Sequence, residues 1–255
     1  MRSTVALQAA RSGGAVFFQR AGIRVCAAMH AILIAASTLT AAGAQPLATS
    51  QPVAGDTHIY RVTNGYNNET RGQVSYRVDK VDADRVVMAV TTETPGTSIA
   101  TTEVYAPDGN WLRHPLTNRD QPVDYEFVPA FPAYRFPLEP GNEWSLRVDA
   151  VNPATGARRS VRVDATVLGA ERIRVPAGDF DTLKIRRTVY AGDATNYLGL
   201  TETTISEIEW YAPSLRRYVR LISDSYYRDS TRRQAAQVMR GDWSRYELVS
   251  APVAH

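Results

Sequence analysis

Apolar and polar side chains alternate with a period of two along most of the chain that follows Asp56. The pattern is clearest in residues 74–79, 144–149 and 161–167, where an apolar side chain is followed each time by a charged or hydroxyl side chain. A strand with one buried face and one solvated face has this pattern. The sequence therefore predicts a succession of half-buried antiparallel strands.

Turn-forming residues separate these alternating segments. Proline, glycine, asparagine and aspartate, which favour tight turns, cluster at 64–65, 95–96, 107–109, 152–156 and 176–178. About a dozen short strands at this spacing are typical of a sandwich or a barrel. We expect an all-β, mainly antiparallel fold, in which a curved sheet forms a partly open barrel or a sandwich. A single β-rich domain would span residues 56–250.

Two short motifs occur twice in the same order. Arg-Val-Asp at 77–79 precedes Glu-Val-Tyr-Ala-Pro at 103–107, and Arg-Val-Asp at 162–164 precedes Glu-Trp-Tyr-Ala-Pro at 209–213. Two interpretations stay open, because short matches also arise by chance in β-rich chains. A true internal repeat would give two pseudo-repeats, with halves at residues 56–121 and 141–250.

The segment 122–140 lies between these halves and combines five prolines with five aromatic residues. Proline lacks the N–H that a central strand donates to its neighbour, so we expect this stretch to cross the fold outside the sheet. Its aromatic side chains either border the mouth of a cavity for an apolar or glycan ligand, or form a lid that closes the core. The candidate ligand-binding residues are Tyr125, Phe127, Phe131, Tyr134 and Phe136.

Three further motifs lie between residues 137 and 222. They are Leu-x-Pro-Gly-x-x-Trp at 138–144, Val-Pro-Ala-Gly-x-Phe at 175–180 and Trp-Tyr-x-Pro at 210–213. In these motifs the chain resembles a broad group of exported bacterial β-proteins of unknown function. The resemblance implies an antiparallel, partly open barrel-like fold in the cell envelope, and it carries no catalytic residues.

The first 44 residues differ in character from the rest of the chain. They contain no acidic residue but four arginines, Arg2, Arg11, Arg20 and Arg24. A mostly apolar stretch at 25–39 is shorter than the ~20 residues that cross a bilayer, and Ala42-Gly43-Ala44 then places small residues before Gln45. These are the three parts of a secretory signal. We expect residues 1–44 to be a signal peptide and 45–55 a disordered tail. The mature protein would be periplasmic, with no transmembrane segment.

The basic balance of the chain comes entirely from this leader. The formal net charge is +3, and the leader holds four of the 29 basic residues and none of the 26 acidic ones. The remainder is nearly neutral, which gives no electrostatic argument for nucleic acid as a partner. The only cysteine, Cys26, also lies in the leader, so the mature chain has no disulfide and no thiolate nucleophile.

None of the standard catalytic or cofactor-binding motifs occurs in the sequence. With three histidines after the leader, His58, His114 and His255, we expect no catalytic residue, no metal site and no cofactor. Only carboxylates remain as acid–base groups. Glu207 and Glu209 would share one strand face about 7 Å apart, a spacing compatible with paired-carboxylate hydrolysis. Exposed ion pairs with Arg186 or Arg220 explain the same pattern more simply.

Basic residues also concentrate near the end of the chain, with tyrosines between them. They could hold a phosphate or a lipid headgroup, because guanidinium groups recognise such anions, or they could lie on solvated strand faces. The arginines are Arg216, Arg217, Arg220, Arg228, Arg232, Arg233, Arg240 and Arg245.

Three functional hypotheses follow from these features. The favoured one is an exported, non-enzymatic protein that binds or chaperones an envelope component such as a lipid or glycan. The second is a protein-interaction module that acts through exposed strand edges, and the third is a carboxylate-dependent envelope hydrolase. A cavity beside residues 122–140 distinguishes the first hypothesis from the second, because a filled core leaves only surfaces. The sequence does not indicate an oligomeric state.

The leader gives a direct test of export. Cleavage after Ala44 is expected to leave Gln45, free or cyclised, as the first residue of the protein in the periplasmic fraction. Mass spectrometry of the purified protein measures this. Recovery of the intact chain with Met1 from the cytosol would contradict the prediction.

Overall fold

Twelve strands follow one another along the chain. The computed structural model describes residues 51–116, 123–192, 202–229 and 237–252. The predicted signal peptide and residues 45–50 of the predicted tail lie outside these ranges. The strands are β1 (Thr57–Asn64), β2 (Thr70–Val81), β3 (Val86–Thr94), β4 (Thr97–Tyr105), β5 (Trp111–Leu116), β6 (Val123–Phe131), β7 (Glu143–Val151), β8 (Arg158–Val175), β9 (Gly178–Ala191), β10 (Glu202–Ala212), β11 (Arg217–Asp229) and β12 (Gln237–Ser250).

These strands form one closed antiparallel barrel. Each strand pairs with the next in the sequence, and β1 pairs with β12 from Ile59 to Asn64. The prediction of an all-β antiparallel fold is confirmed. The barrel is closed rather than partly open, because the β1–β12 ladder satisfies the two edges that an open sheet would expose.

The loops lie at two opposite rims, because each strand runs antiparallel to its neighbours. End A is the rim with the N-terminal residues 51–56 and loops 82–85, 106–110, 132–142, 176–177 and 213–216. End B is the opposite rim, and its described loops are 65–69, 95–96 and 152–157. Strands β1, β3, β5, β7, β9 and β11 run from end A to end B.

The inner face of the barrel carries the apolar half of the alternating pattern. On β8, Val161, Val163 and Val167 are almost fully buried, and each valine of this kind contributes roughly 1.5–3 kcal/mol through burial. One core cluster draws mainly on β5 to β9, and a second draws mainly on β1 to β4 and β10 to β12. Trp111 packs against both clusters and so connects them.

Part of the segment 122–140 belongs to the barrel wall, so the expectation that all of it crosses the fold is wrong. Residues 123–131 form β6, which pairs with β5 and, from Glu126 to Val128, with β7. Pro129 lies beyond the β7 ladder and inside a register shift against β5. Its missing N–H therefore interrupts no regular ladder, as is usual for prolines at bulges. Only residues 132–142 cross from β6 to β7.

The turn at 175–178 is a structural element of end A. The Ala177 N–H donates to the Leu248 carbonyl at 3.1 Å, which ties the tip of the β8–β9 hairpin to β12. Val175 is buried in the same cluster as Trp210, which lies on β10. The Trp210 indole donates to Glu171 Oε2 at 3.1 Å. The hairpin therefore covers the face of β10 that carries Trp210.

The two recurring motifs occupy corresponding places in the barrel. Arg-Val-Asp lies on β2 and again on β8, and Glu-x-Tyr-Ala-Pro ends β4 and again β10 at end A. Both pairs are therefore six strands apart in a barrel of twelve. Glu103 and Glu209, the first residues of the second motif, are both buried.

Trp144 anchors the core at the beginning of β7. Its side chain is 4% exposed, and the indole N–H donates to the Pro132 carbonyl at 3.0 Å. Leu146, which the alternation places on the same face, is 42% exposed. Neither residue has a partner in β6, because that ladder begins at Asp149. The loop after β6 contacts Trp144 through the Pro132 carbonyl.

These two residues give a stability test within one strand. Trp144→Ala is expected to lower the free energy of unfolding by about 3–5 kcal/mol, because it removes a buried indole and leaves a cavity. Leu146→Ala is the control and is expected to cost about 0.5 kcal/mol, as for other surface changes. Urea denaturation measures both values. Equal losses in the two variants would contradict the assigned burial.

Candidate functional site

The closed barrel contains a cavity of about 510 Å³. At end B it reaches the exposed residues Glu93, Thr94 and Ile99. Its middle is lined by aliphatic side chains from strands on several sides of the barrel. They are Val62, Val74, Val86, Met88, Val90, Leu116, Val189, Ile205 and Leu221. In the part of the chain that the structure describes, the cavity thus has an apolar wall and reaches exposed residues at end B.

A buried ion-pair triad lies on one side of the cavity. Arg187, on β9, is 2% exposed, and its guanidinium contacts Glu207 Oε2 at 2.6 Å and Glu209 Oε2 at 2.9 Å. It also donates to the Ala133 carbonyl at 2.9 Å, and the Tyr134 hydroxyl donates to Glu209 Oε1 at 2.5 Å. One cation therefore holds two carboxylates and the loop that follows β6.

The positions of Glu207 and Glu209 overturn the expectation of an exposed strand face. Both side chains line the cavity, and Arg187 is their partner instead of Arg186 or Arg220. Trp210 lies on the opposite face of β10, where Lys184 and Arg220 pack over its ring. The β8–β9 hairpin covers the face of β10 that carries Trp210, so this is the outer face of the strand. Glu207 and Glu209 therefore lie on the inner face, where buried carboxylates need a cation as partner.

A second polar cluster surrounds Glu103 on β4. The Tyr105 hydroxyl donates to Glu103 Oε2, and His114 Nε2 lies 3.4 Å from the same oxygen. The His114 ring stacks on Trp111 with centroids 3.9 Å apart. The sequence analysis assigned no catalytic or metal-binding role to His114, and the structure places this side chain in the cavity wall.

A third polar group, Arg217 at the start of β11, faces the cavity at end A. Its side chain is buried, at 8% exposure. Nη1 lies 3.0 Å from the Met88 sulfur, and Nε has no hydrogen-bond partner. Four aromatic rings surround the guanidinium carbon at centroid distances of 3.9 to 5.9 Å, those of Tyr76, Tyr105, Tyr218 and Tyr60.

Chain segments cover the cavity at end A. Pro52, Pro107 and Gly109 line it there, together with Ala133 and Tyr134 from the loop after β6. Two hydrogen bonds join the covering segments, since the Tyr134 N–H donates to Asn110 Oδ1 and the Asn110 side chain donates to the Tyr134 carbonyl. Among the described residues, this rim is therefore more covered than end B.

The five candidate residues from the sequence occupy different environments. Tyr134 lines the cavity. Tyr125, Phe127 and Phe131 pack in the core, where the Phe131 ring stacks on Trp111 with centroids 4.1 Å apart. Phe136 is 48% exposed. The sequence reasoning missed Arg187, because a single arginine on an alternating strand gives no sign that it points inward. Arg217 was among the arginines considered there for a phosphate or a lipid headgroup.

The arginine-rich segment is also divided by the structure. Arg216 and Arg217 line the cavity, and Arg220 pairs on the outside with Glu247 at 3.0 Å. Side chains from Tyr227 to Arg240 lie outside the described residues. Part of the segment thus contributes to the interior, and Arg220 to an outer strand face.

Neither a metal centre nor a spanning helix is evident in the described parts of the chain. Among these residues, no group of three or more histidine, cysteine, aspartate or glutamate side chains is placed to hold a metal ion. In the same ranges, no helix has the length and apolar character needed to cross a membrane.

No protein-family model matches the sequence, and no curated protein matches it. Similar solved structures include a predicted lipoprotein from Parabacteroides distasonis, with a TM-score of 0.45, 14% identity, and coverage of 78% of this chain and 96% of that chain. A predicted exported protein with a YmcC-like fold from Bacteroides fragilis has a TM-score of 0.45, 16% identity, and coverage of 80% and 98%. The hypothetical lipoprotein YmcC from Escherichia coli has a TM-score of 0.37, 10% identity, and coverage of 80% and 88%. At these values none of them indicates what this chain binds.

The triad gives a test of the buried charges. Arg187→Met is expected to lower the free energy of unfolding by about 3–5 kcal/mol, because it leaves two buried carboxylates without their cation. The control is Arg61→Met, which breaks the exposed pair with Glu247 and is expected to cost about 0–1 kcal/mol. Urea denaturation at neutral pH measures both. A similar small loss in both variants would contradict the buried triad.

Proposed function

We propose that the protein is an exported, non-enzymatic binding protein that holds a lipid-like envelope component inside its barrel. The observation that carries this proposal is the cavity itself. Its volume of about 510 Å³ lies within the range of small-molecule sites. A filled barrel would have left only outer surfaces for function, so the cavity supports binding over the interaction-module hypothesis.

The composition of the wall favours an acyl chain over a glycan. Aliphatic side chains such as Val74, Val90 and Leu221 offer no hydrogen-bond partner to a sugar hydroxyl. Burying a hydroxyl without a partner costs free energy, whereas burying methylene groups contributes about 0.8 kcal/mol each. The hydrocarbon part of a lipid therefore suits this wall.

The carboxylates of the cavity support a structural function instead of hydrolysis. Glu207 and Glu209 share the Arg187 guanidinium, and Glu209 also accepts the Tyr134 hydroxyl. Glu103 is held by Tyr105 and His114. Each of these three carboxylates thus has a partner in the barrel wall, which supports a structural function for them.

Localisation in the cell envelope is part of the same proposal. It is supported by the arginine-containing, acid-free leader and by the motif resemblance at residues 137–222. An envelope compartment offers lipids and few soluble carriers for them. A barrel with an apolar interior would keep such a chain out of water.

The test uses N-phenyl-1-naphthylamine, a neutral apolar dye whose fluorescence rises in apolar surroundings. The wild-type protein is expected to bind it saturably at about one dye per chain. Leu221→Trp places an indole in the cavity and is expected to abolish binding while the melting temperature stays near the wild-type value. Thr101 also lines the cavity, on a strand that lies five strands from Leu221 around the barrel. Thr101→Trp is a second blocking variant in case the first does not fold.

The matched control is Leu168→Trp, the same substitution at an exposed position on β8. This variant is expected to bind the dye as the wild type does. Absence of saturable binding by the wild type would overturn the proposed function. Equal binding by the cavity variants and the control would place the dye on the outer surface, with the same consequence.

A further inference from the structure

We propose that Arg217 binds the anionic group of the ligand, so that the protein selects anionic amphiphiles, such as fatty acids or lipid phosphates, over neutral ones. This inference rests on the proposed function, because it assigns the chemistry of one end of the same cavity. Its basis is a buried guanidinium that faces the cavity without a counter-charge.

The contacts of Arg217 use only part of its hydrogen-bonding capacity. A thioether sulfur, the partner of Nη1, is a weak acceptor, and Nε has no partner. The nearest ring, that of Tyr76, lies 3.9 Å from the guanidinium carbon and stabilises the cation through its π face. The Tyr60 hydroxyl is a further side-chain hydrogen-bond partner of the guanidinium, but burial raises the pKa of Tyr60 to about 12, so this partner carries no charge. Ring faces orient the guanidinium but do not satisfy its remaining N–H groups.

Within the described residues, no carboxylate forms an ion pair with Arg217. The neighbouring phenols cannot replace one, because burial raises the pKa of Tyr76 and of Tyr105 well above the ordinary value. Burial and the positive charge of Arg217 lower the pKa of His58 to about 3, so this imidazole is neutral near neutral pH. Arg217 is thus the uncompensated charge of its surroundings.

The other charged groups of the cavity are engaged elsewhere. Arg187 is neutralised by Glu207 and Glu209, and Arg71 at end B pairs with Asp242. Arg216, which is only half-buried, donates to Gln51 Oε1 and to the Pro107 carbonyl. Glu103 is on β4, five strands from β11 around the barrel, and its contacts are Tyr105 and His114. A planar guanidinium with free N–H groups matches the oxygens of a carboxylate or a phosphate.

The position of Arg217 also sets the orientation of the ligand. It lies at the covered end A, whereas the cavity approaches solvent at end B, where the acidic Glu93 is exposed. The aliphatic wall, including Leu221 and Ile205, continues from Arg217 towards end B. The anionic group would therefore lie innermost, with the hydrocarbon chain directed towards the acidic rim.

The experiment measures displacement of N-phenyl-1-naphthylamine by dodecyl phosphate and by 1-dodecanol, which share one chain and differ in charge. With the wild type, dodecyl phosphate is expected to compete at about ten- to a hundred-fold lower concentration, as for a hydrogen-bonded charge pair. Arg217→Met is expected to remove this preference, so that dodecyl phosphate and 1-dodecanol compete at similar concentrations. The matched control Arg220→Met, on the outer face of the same strand, is expected to keep it.

The stability of the unliganded variant separates a ligand-binding arginine from a structural one. Replacing an uncompensated buried cation by methionine is expected to leave the unfolding free energy unchanged or to raise it. A marked loss, or failure of the variant to fold, would show that the barrel itself satisfies Arg217 and would overturn the inference. The preference of the wild-type protein is measured without any variant. Equal competition by dodecyl phosphate and 1-dodecanol with the wild type would therefore also overturn the inference.

A final arm distinguishes a lipid headgroup from a free anion. Calorimetric titration with inorganic phosphate is expected to show no binding below millimolar concentration, because a free anion lacks the apolar contribution of the chain. Tight phosphate binding that Arg217→Met abolishes would assign the site to a free anion and overturn the amphiphile assignment. If the dye itself does not bind the wild type, the proposed function fails. If the dye binds but charge has no effect, only this inference fails.

Discussion

The pairing of β1 with β12 is the interaction on which the rest of the structure depends. It closes twelve antiparallel strands into a ring, and the diameter of a barrel grows with the number of strands. Eight strands give an interior that side chains can fill, whereas twelve give a wider one. The cavity follows from this closure, because two apolar clusters occupy parts of the interior and leave space between them.

The two buried arginines that line the cavity, Arg187 and Arg217, differ in their partners. Arg187 has two carboxylates, a carbonyl and a neighbouring tyrosine within reach, so it joins β9, β10 and the loop after β6. Arg217 has aromatic faces and a sulfur atom. In a low-dielectric interior an uncompensated charge is costly, and a bound anion would remove that cost. The first arginine thus stabilises the wall, and the second is available for recognition.

The β8–β9 hairpin determines which face of the distant strand β10 is the outer one. Its tip, tied to Leu248 through Ala177, buries the face of β10 that carries Trp210. With one face covered from outside, the opposite face carries Glu207 and Glu209 into the cavity. Motif residues such as Val175 and Trp210 are therefore explained by packing, and they need no catalytic interpretation.

The sequence by itself determined the strands, because alternation such as that of 161–167 reports one buried and one solvated face, and the turn residues mark most of the strand ends. The alternation at 144–149 likewise places Trp144 on the apolar face of its strand. Tertiary structure alone decided which face of β10 points inward, that 123–131 joins the sheet, and that Arg217 lacks a counter-charge. A period of two distinguishes two faces but does not say what packs on either. Burial and charge compensation depend on strands far apart in the chain, and those strands meet only when the barrel closes.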